Sequence, residues 1–314
     1  MMSTFNLLSK KIQRKIWDMG WERFTPIQDM AIPAIINTKF DIILSSGTAS
    51  GKTEAAFLPI LTLIEGEAES VLKVIYISPL KALINNQFER IISLCEYINI
   101  PINRWHGDVS QAHKKKFLKN PAGILQITPE SIESLLINRT GQLAHIFRSI
   151  DFIVIDEIHS FLDNERGVHL RSLISRLEKY IENRPRIIGL SATIDNYPLV
   201  KQWVNPENVD HVKILESPGN DKDLLYSLMH FPQEKNRQKP LELYEDMRLL
   251  TRDLKALIFC NSRAEVEYTT VMLNRLAEKE GVGETYFAHH SSIAKKEREY
   301  VEKIMAETKI PKSV

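Results

Sequence analysis

Two short stretches carry the residue types that phosphate chemistry needs. The first is "ILSSGTASGKTEAAF" at 43–57. A phosphate-cradling loop is spelled Gly, four free positions, then Gly-Lys-Ser/Thr. Gly51-Lys52-Thr53 supplies the end of that pattern, but Ser46 stands where the first glycine belongs, Gly47 is one place late, and Ala49 holds a spot where glycine is common. Ser46 and Ala49 are small enough to permit the turn if their φ angles stay negative. The flanks favour the phosphate reading. "DIILS" is a buried-strand pattern, and the segment from Lys52 reads as a helix with Phe57, Ile60, Leu61 and Ile64 inward, slightly kinked at Pro59. A strand–loop–helix corner through Ser46, Gly47, Thr48, Ala49, Ser50 and Gly51 turns backbone N–H groups and the positive helix end to one point. Lys52 then reaches the outer phosphates, and the Thr53 hydroxyl binds Mg²⁺.

The second stretch, "FIVIDEIH" at 152–159, is an apolar strand delivering two adjacent carboxylates at its C-terminal end. Open parallel sheets bind ligands at that edge. Asp156 is placed to hold Mg²⁺, commonly through water, and Glu157 to orient and deprotonate an attacking water. Each stretch alone has a plain alternative, a glycine-rich turn or a strand ending in solvated acids. The two together point to a nucleoside triphosphate with Mg²⁺.

Five strands of a common sheet can position these residues: 41–45, 73–78, 123–128, 152–156 and 186–191, all apolar and β-branched, alternating with helical spacing. In one such helix Val168, Leu173, Ile174, Leu177 and Ile181 share a face. Strands apolar on both faces predict an α/β fold, a parallel sheet with helices packed on both sides. The texture turns polar and turn-rich over 216–240, which reads as a hinge between a first domain, 1–215, and a second, 241–314. Beyond it come helices over 241–254 and 264–280, the latter closed by Gly281 with Val266, Thr270, Leu273 and Ala277 inward, and strands over 256–260 and 285–290. Two strands cannot complete a doubly wound sheet, so the chain is expected to stop inside its second domain.

The 314 residues are 43% apolar and 26% charged, with a net charge of +1 that leaves a polyanionic partner open. "KKIQRK" (10–15) and "KKK" (114–116) read as solvated faces or as phosphate contacts. No window approaches the run of apolar residues a membrane helix needs, and the N-terminus lacks the pattern of a secretory signal. Cys95 and Cys260 are far apart and read as free thiols, so a cytoplasmic protein without membrane contact is expected.

The order of motifs resembles the superfamily 2 DExH-box helicases, most closely their Lhr-like branch. "FTPIQ" (24–28), "SSGTASGKT" (45–53), "SPLKALINNQ" (78–87), "TPES" (128–131), Asp156-Glu157-Ile158-His159, "RGVHLRSLISRL" (166–177), "SAT" (191–193), "IFCNSRAEVE" (258–267) and "HHSSIAKKERE" (289–299) follow the family's sequence of motifs, with Ser291 replacing a glycine. The resemblance implies two RecA-like domains, of the P-loop NTPase type, the second incomplete, and an ATP-dependent helicase or translocase. It implies that Gln28 reads the adenine edge. Ser78, Pro79, Lys81, Thr128 and Pro129 would grip the sugar-phosphate backbone of one strand, with Asn261 and Arg263 adding contacts from the second domain. "SPL" and "TPE" also read as a strand end and a helix cap, and Asn261 or Ser262 as a cap. "RWHGD" (104–108) is expected in a loop, with Trp105 packed and Arg104 and His106 near nucleic acid. His159, Ser191 and Thr193 would couple the nucleotide site to those loops. DNA and 3′-to-5′ movement are favoured by analogy, on single-stranded or partly duplex substrate.

The family's last two motifs, with their arginine fingers, are not in the sequence, so a partner chain or a missing C-terminal region is expected to complete the site. An arginine finger contributes on the order of 10³–10⁵ in rate, so slow hydrolysis by these residues alone follows. Two further readings are a P-loop NTPase without a nucleic-acid role and a non-catalytic subunit lending a surface to a complex.

Overall fold

The computed structural model describes residues 2–47, 50–217, 225–232, 239–307 and 311–314. Thr48 and Ala49 of the first motif, and parts of the expected hinge, lie outside the described residues. The chain divides into two units, Met1–Lys222 and Asp223–Val314.

Aliphatic runs that bury both faces make the first unit's sheet. Its strands are β1 (Asp41–Ser45), β2 (Leu72–Ile77), β3 (Ile102–Trp105), β4 (Gly123–Ile127), β5 (Phe152–Ile155), β6 (Arg186–Ser191) and β7 (Val212–Glu216). They lie in the order β3-β4-β2-β5-β6-β1-β7, and every pairing is parallel. All C-terminal ends therefore gather along one edge, and helices must carry the chain back. The early helices are α1 (Met2–Phe5), α2 (Lys10–Asp18), α3 (Pro26–Asn37), α4 (Lys52–Ile64) and α5 (Lys81–Leu94). A buried cluster including Ile12, Ile32, Phe57, Leu61, Tyr76 and Ile91 joins α2 to α5 to one face of the sheet. The later helices are α6 (Gln111–Lys119), α7 (Pro129–Asn138), α8 (Leu143–Phe147), α9 (Glu165–Glu178) and α10 (Tyr197–Val204). They cover the other face through a second cluster that includes Phe117, Leu135, Phe147, Leu173, Ile174 and Val200.

Several expectations need correction. Arg104 and Trp105 lie in the edge strand β3 rather than in a loop, and β7 forms the opposite edge. Val168 is 71% exposed, and Leu170 takes the inward place on α9 beside Leu173, Ile174 and Leu177.

The second unit holds α11 (Leu241–Thr251), α12 (Arg263–Lys279) and α13 (Lys295–Glu307). Its small core is Tyr244, Leu273, Ala277 and Tyr286, and Gly281 follows α12 with φ 75°. The strands expected at 256–260 and 285–290 are reduced to isolated bridges, Ala256 and Tyr286 each pairing with Ser313. Ser313 N–H donates to Thr285 O at 3.0 Å and Val314 N–H to Ala256 O at 3.1 Å. The segment 312–314 thus runs between the other two, which have no other strand to pair with among the described residues.

Candidate nucleotide and nucleic-acid site

Three successive strands, β5, β6 and β1, deliver the chemistry to one edge. After β1 the chain turns at Ser46 and Gly47 and re-enters helix at Gly51, whose φ of 83° is left-handed. Glycine is needed there twice over, because a Cβ would also sit 2.5 Å from Gln28 Nε2. Ser46 and Thr53 are buried. The Lys52 ammonium donates to the carbonyls of Ser46 (2.6 Å) and Gly47 (2.8 Å). Burial lowers its pKa, against the charges of Glu157 and Asp156, which raise it. The lysine of the first motif and the paired acids of the second therefore share one neighbourhood.

Asp156 is buried, and its Oδ1 accepts the Glu157 N–H at 3.1 Å. Burial pushes its carboxyl above the ordinary value, opposed by a hydrogen bond from the Tyr76 hydroxyl. Glu157 has φ 46° and ψ 48°. A side-chain-bearing residue in the left-handed region is strained, and such strain collects where chemistry fixes the residue type. His159 Nδ1 lies 3.0 Å from Ser191 Oγ and 3.4 Å from Glu157 Oε2. Because the Ser191 hydroxyl donates to Thr193 O at 2.6 Å, its oxygen is left as acceptor and His159 carries its proton on Nδ1. Ser46 N–H donates to Ser191 O at 3.2 Å. Loop, paired acids and "SAT" are thereby stitched together across β1, β6 and β5.

The donor set fits a metal-bound nucleotide. Lys52 and the first turn of α4 offer positive charge and N–H groups, while Thr53 and Asp156 offer the oxygen ligands that Mg²⁺ takes alongside phosphate and water. The Ser50 hydroxyl is buried without a hydrogen-bond partner in the same loop.

Gln28 lies against this loop. Its Oε1 accepts the Thr25 N–H at 3.0 Å, closing a capping box on α3, and its Nε2 donates to Gly51 O at 3.4 Å. One side chain thus caps a helix and braces the loop.

The predicted gripping residues gather after β2 and β4, at the same edge. Ser78, Thr128 and Pro129 are buried. Ser78 Oγ donates to Leu80 O at 3.4 Å and Thr128 Oγ1 to Ser131 Oγ at 3.1 Å, so these side chains shape their loops. Lys81 is half-exposed and pairs with Asp108 at 3.6 Å. His106, 3% exposed, has neither ring nitrogen hydrogen-bonded, and burial lowers its pKa. In the second unit Ser262, not Asn261, caps α12 by accepting the Glu265 N–H. Asn261 N–H donates to Glu265 Oε2 (3.1 Å), and Arg263 Nη1 to Ser292 Oγ (2.7 Å).

Sequence reasoning missed two residues. Arg166 Nη2 donates to Pro79 O at 2.6 Å and to Glu130 Oε1 at 2.7 Å, and the guanidinium lies 5.5 Å from the centre of the Phe161 ring. Burial would raise the pKa of Glu130, but its own backbone N–H and Arg166 bring it below the ordinary value. Arg166 therefore ties the loop after β2, the start of α7 and the turn after the paired acids. Its place inside the "RGVHL" stretch was the available signal. The other is Tyr76, a lone aromatic in an otherwise aliphatic part of β2.

The chain belongs to the DEAD/DEAH box helicase family, whose model matches residues 25–199. Among curated relatives it is 31% identical over 329 residues to the ATP-dependent helicase Lhr-Core of Saccharolobus solfataricus, covering 95% of this chain and 36% of that protein. It is 32% identical over 304 residues to the Lhr-Core of Sulfolobus acidocaldarius, covering 89% of this chain and 34% of the relative. Helicase Lhr of Mycobacterium smegmatis, solved with ssDNA and AMP-PNP, has the same fold, with a TM-score of 0.82 at 24% identity over 99% of this chain and 42% of that one. Mss116p bound to ssRNA and AMP-PNP gives 0.78 at 18% identity, over 98% and 63%. The fold is RecA-like, and this chain spans 34–36% of the length of the two Lhr-Core relatives. Among the described residues no helix is long and apolar enough to cross a membrane. Cys95 and Cys260 are free thiols, and burial pushes that of Cys95 up to about 12.

Proposed function

We propose that this chain binds ATP with Mg²⁺ at the β1–α4 corner, and that it is a motor portion of an ATP-dependent helicase or translocase acting on single-stranded or partly duplex nucleic acid. The observation that carries this reading is the convergence of Lys52 with Asp156 and Glu157 at one sheet edge. In this reading Ser46, Gly47 and Gly51, together with Thr48, Ala49 and Ser50, wrap the phosphates, and Lys52 leaves its carbonyl partners for them. Thr53 and Asp156 hold the metal, which supplies charge neutralisation on the phosphate oxygens when bound. Glu157, set by its left-handed backbone, accepts the proton of the attacking water. His159, Ser191 and Thr193 carry the state of that site toward Arg166 and the loops after β2 and β4. Gln28 braces the loop and presents its amide beside it for an adenine edge.

The loops bearing Ser78, Pro79, Lys81, Thr128 and Pro129 contact one strand's backbone, without reading bases. Asn261 and Arg263 add contacts from the second domain. Its boundaries are taken as 1–215 and 241–314, joined by 216–240. The relatives solved with nucleic acid include ssDNA and ssRNA complexes, and the Lhr likeness favours DNA. A soluble cytoplasmic protein accords with the free thiols.

The test is equilibrium binding of a fluorescent ATP analogue, with and without Mg²⁺ and a single-stranded oligonucleotide. Lys52→Ala is expected to lose nucleotide, and Glu157→Gln to keep it while any strand-stimulated hydrolysis vanishes. Binding indifferent to Lys52→Ala, or hydrolysis unchanged in Glu157→Gln, refutes the assignment. Oligonucleotide binding absent from the wild type would leave a nucleotide enzyme without a nucleic-acid role.

A further inference from the structure

Tyr76 is fully buried in β2, where the sequence "LKVIYI" otherwise offers aliphatic side chains and one lysine at the strand's start. Its ring packs against Phe57 of α4, with centroids 5.7 Å apart. Phenylalanine would fill that space equally well. A buried hydroxyl costs free energy unless it is hydrogen-bonded, so the choice of tyrosine calls for a partner. That partner is Asp156, whose Oδ2 accepts the Tyr76 hydroxyl, while its Oδ1 accepts the Glu157 N–H at 3.1 Å. Both carboxylate oxygens therefore have protein donors, one on the adjacent residue and one on the neighbouring strand β2, where Tyr76 pairs in register with Val154 two residues before Asp156.

A carboxylate bound at one oxygen swings about its Cβ–Cγ bond, whereas one bound at both does not. Each oxygen has a second lone pair, and with both first lone pairs occupied the directions of the remaining two are set before any metal arrives. Donors behind a metal-binding carboxylate act in this way, and their removal typically weakens metal binding 10–100-fold. We propose that Tyr76 is a positioning residue for Asp156, whose hydroxyl holds the carboxylate in the orientation that receives nucleotide-bound Mg²⁺. The inference rests on the reading of the β1–α4 corner as a Mg²⁺-nucleotide site.

The experiment follows binding rather than turnover. A fluorescent ATP analogue is titrated onto the 314-residue protein at a series of Mg²⁺ concentrations and in EDTA. Wild type, Tyr76→Phe and Val74→Ala are compared. Tyr76→Phe keeps the ring and its packing on Phe57, so the fold is retained. Val74→Ala removes buried apolar volume from the same strand and the same core cluster, reporting what general loosening does. The expected result is an upward shift of about tenfold in the Mg²⁺ midpoint for Tyr76→Phe. Affinity in EDTA should stay unchanged, and the midpoint of Val74→Ala should remain at the wild-type value. A shift below threefold in Tyr76→Phe overturns the proposal, and so does an equal shift in Val74→Ala. If wild type binds no nucleotide, or binds without regard to Mg²⁺, the site reading itself falls and this inference with it. A wild type that responds to Mg²⁺ beside an unshifted Tyr76→Phe removes the inference alone.

Discussion

Gly167→Ala is the substitution with the most to reveal, because it acts on the junction behind the paired acids without touching them. A Cβ at 167 would sit 1.5 Å from the carbonyl oxygen of Phe161 and 2.6 Å from its carbonyl carbon. Both are backbone atoms, so the start of α9 and the turn after the paired acids must separate. Alanine in a helix gains about 1 kcal/mol over glycine. Against this stand overpacking, about 1–3 kcal/mol, and two hydrogen bonds at about 1 kcal/mol each. Those are the Gly167 N–H to Asn164 Oδ1 (2.9 Å) and Trp203 Nε1 to Gly167 O (3.2 Å). The net expectation is destabilisation by about 2–4 kcal/mol. Trp17, Trp21, Trp105 and Trp203 are the chain's four tryptophans, and all lie in the first unit. Urea unfolding followed by tryptophan emission therefore reads that unit alone. A loss below about 1 kcal/mol would refute the reasoning, because it would mean that the turn yields without cost. Any strand-stimulated ATP hydrolysis should fall with it, since the turn carries His159.

Other perturbations probe separate parts of the unit. Gly51→Ala forces a left-handed residue, at roughly 1–2 kcal/mol, and displaces the Gln28 amide; nucleotide affinity should drop at least tenfold, and an unchanged titration would show that the corner tolerates a new turn. Asp41, fully buried, accepts from Arg184 (2.9 Å), the Ile187 N–H (2.7 Å) and Asn205 (3.1 Å). Asp41→Ala should cost about 3–5 kcal/mol in urea unfolding, and less than 1 kcal/mol would deny the network its role. His106 is held below its ordinary pKa of 6.5 by burial, with Arg104, Lys81 and Lys114 opposing its charge and Asp108, 3.9 Å away, favouring it. The unfolded chain therefore takes up a proton near pH 6.5 while the folded chain does so only at lower pH. Stability is fully present above that range and declines as pH falls through it. His106→Leu should flatten this slope; identical slopes in the two proteins would exclude His106 as its source.

Much of this was legible because burial on both faces leaves a direct mark in sequence. The strands β1, β2, β4, β5 and β6 are central and aliphatic, and their ends fell within a residue of expectation. The edges were not legible for the same reason. In β3, "INRW" is mostly half-buried with two polar residues, and in β7 only Val212 is fully buried, so neither stands out from a loop. Val168 obeyed helical spacing yet faces solvent, because apolar spacing does not say which flank of a stripe the sheet will cover. Contacts such as Tyr76 with Asp156 or Arg166 with Pro79 link residues 80 and 87 positions apart. They exist only once the strand order is set. The lysine and the paired acids were readable because their spacing encodes local geometry, a helix start and a strand end, that the sheet then brings together.

In the proposed reading, the left-handed backbone at Glu157 sets the protein's stability against its chemistry at a single position. Glycine or asparagine would relax the turn and leave the sheet intact, but either would remove the acid that faces the nucleotide corner. Laboratory selection for thermal resistance alone should therefore drift toward those residues here, yielding sturdier proteins that lack the proposed general base.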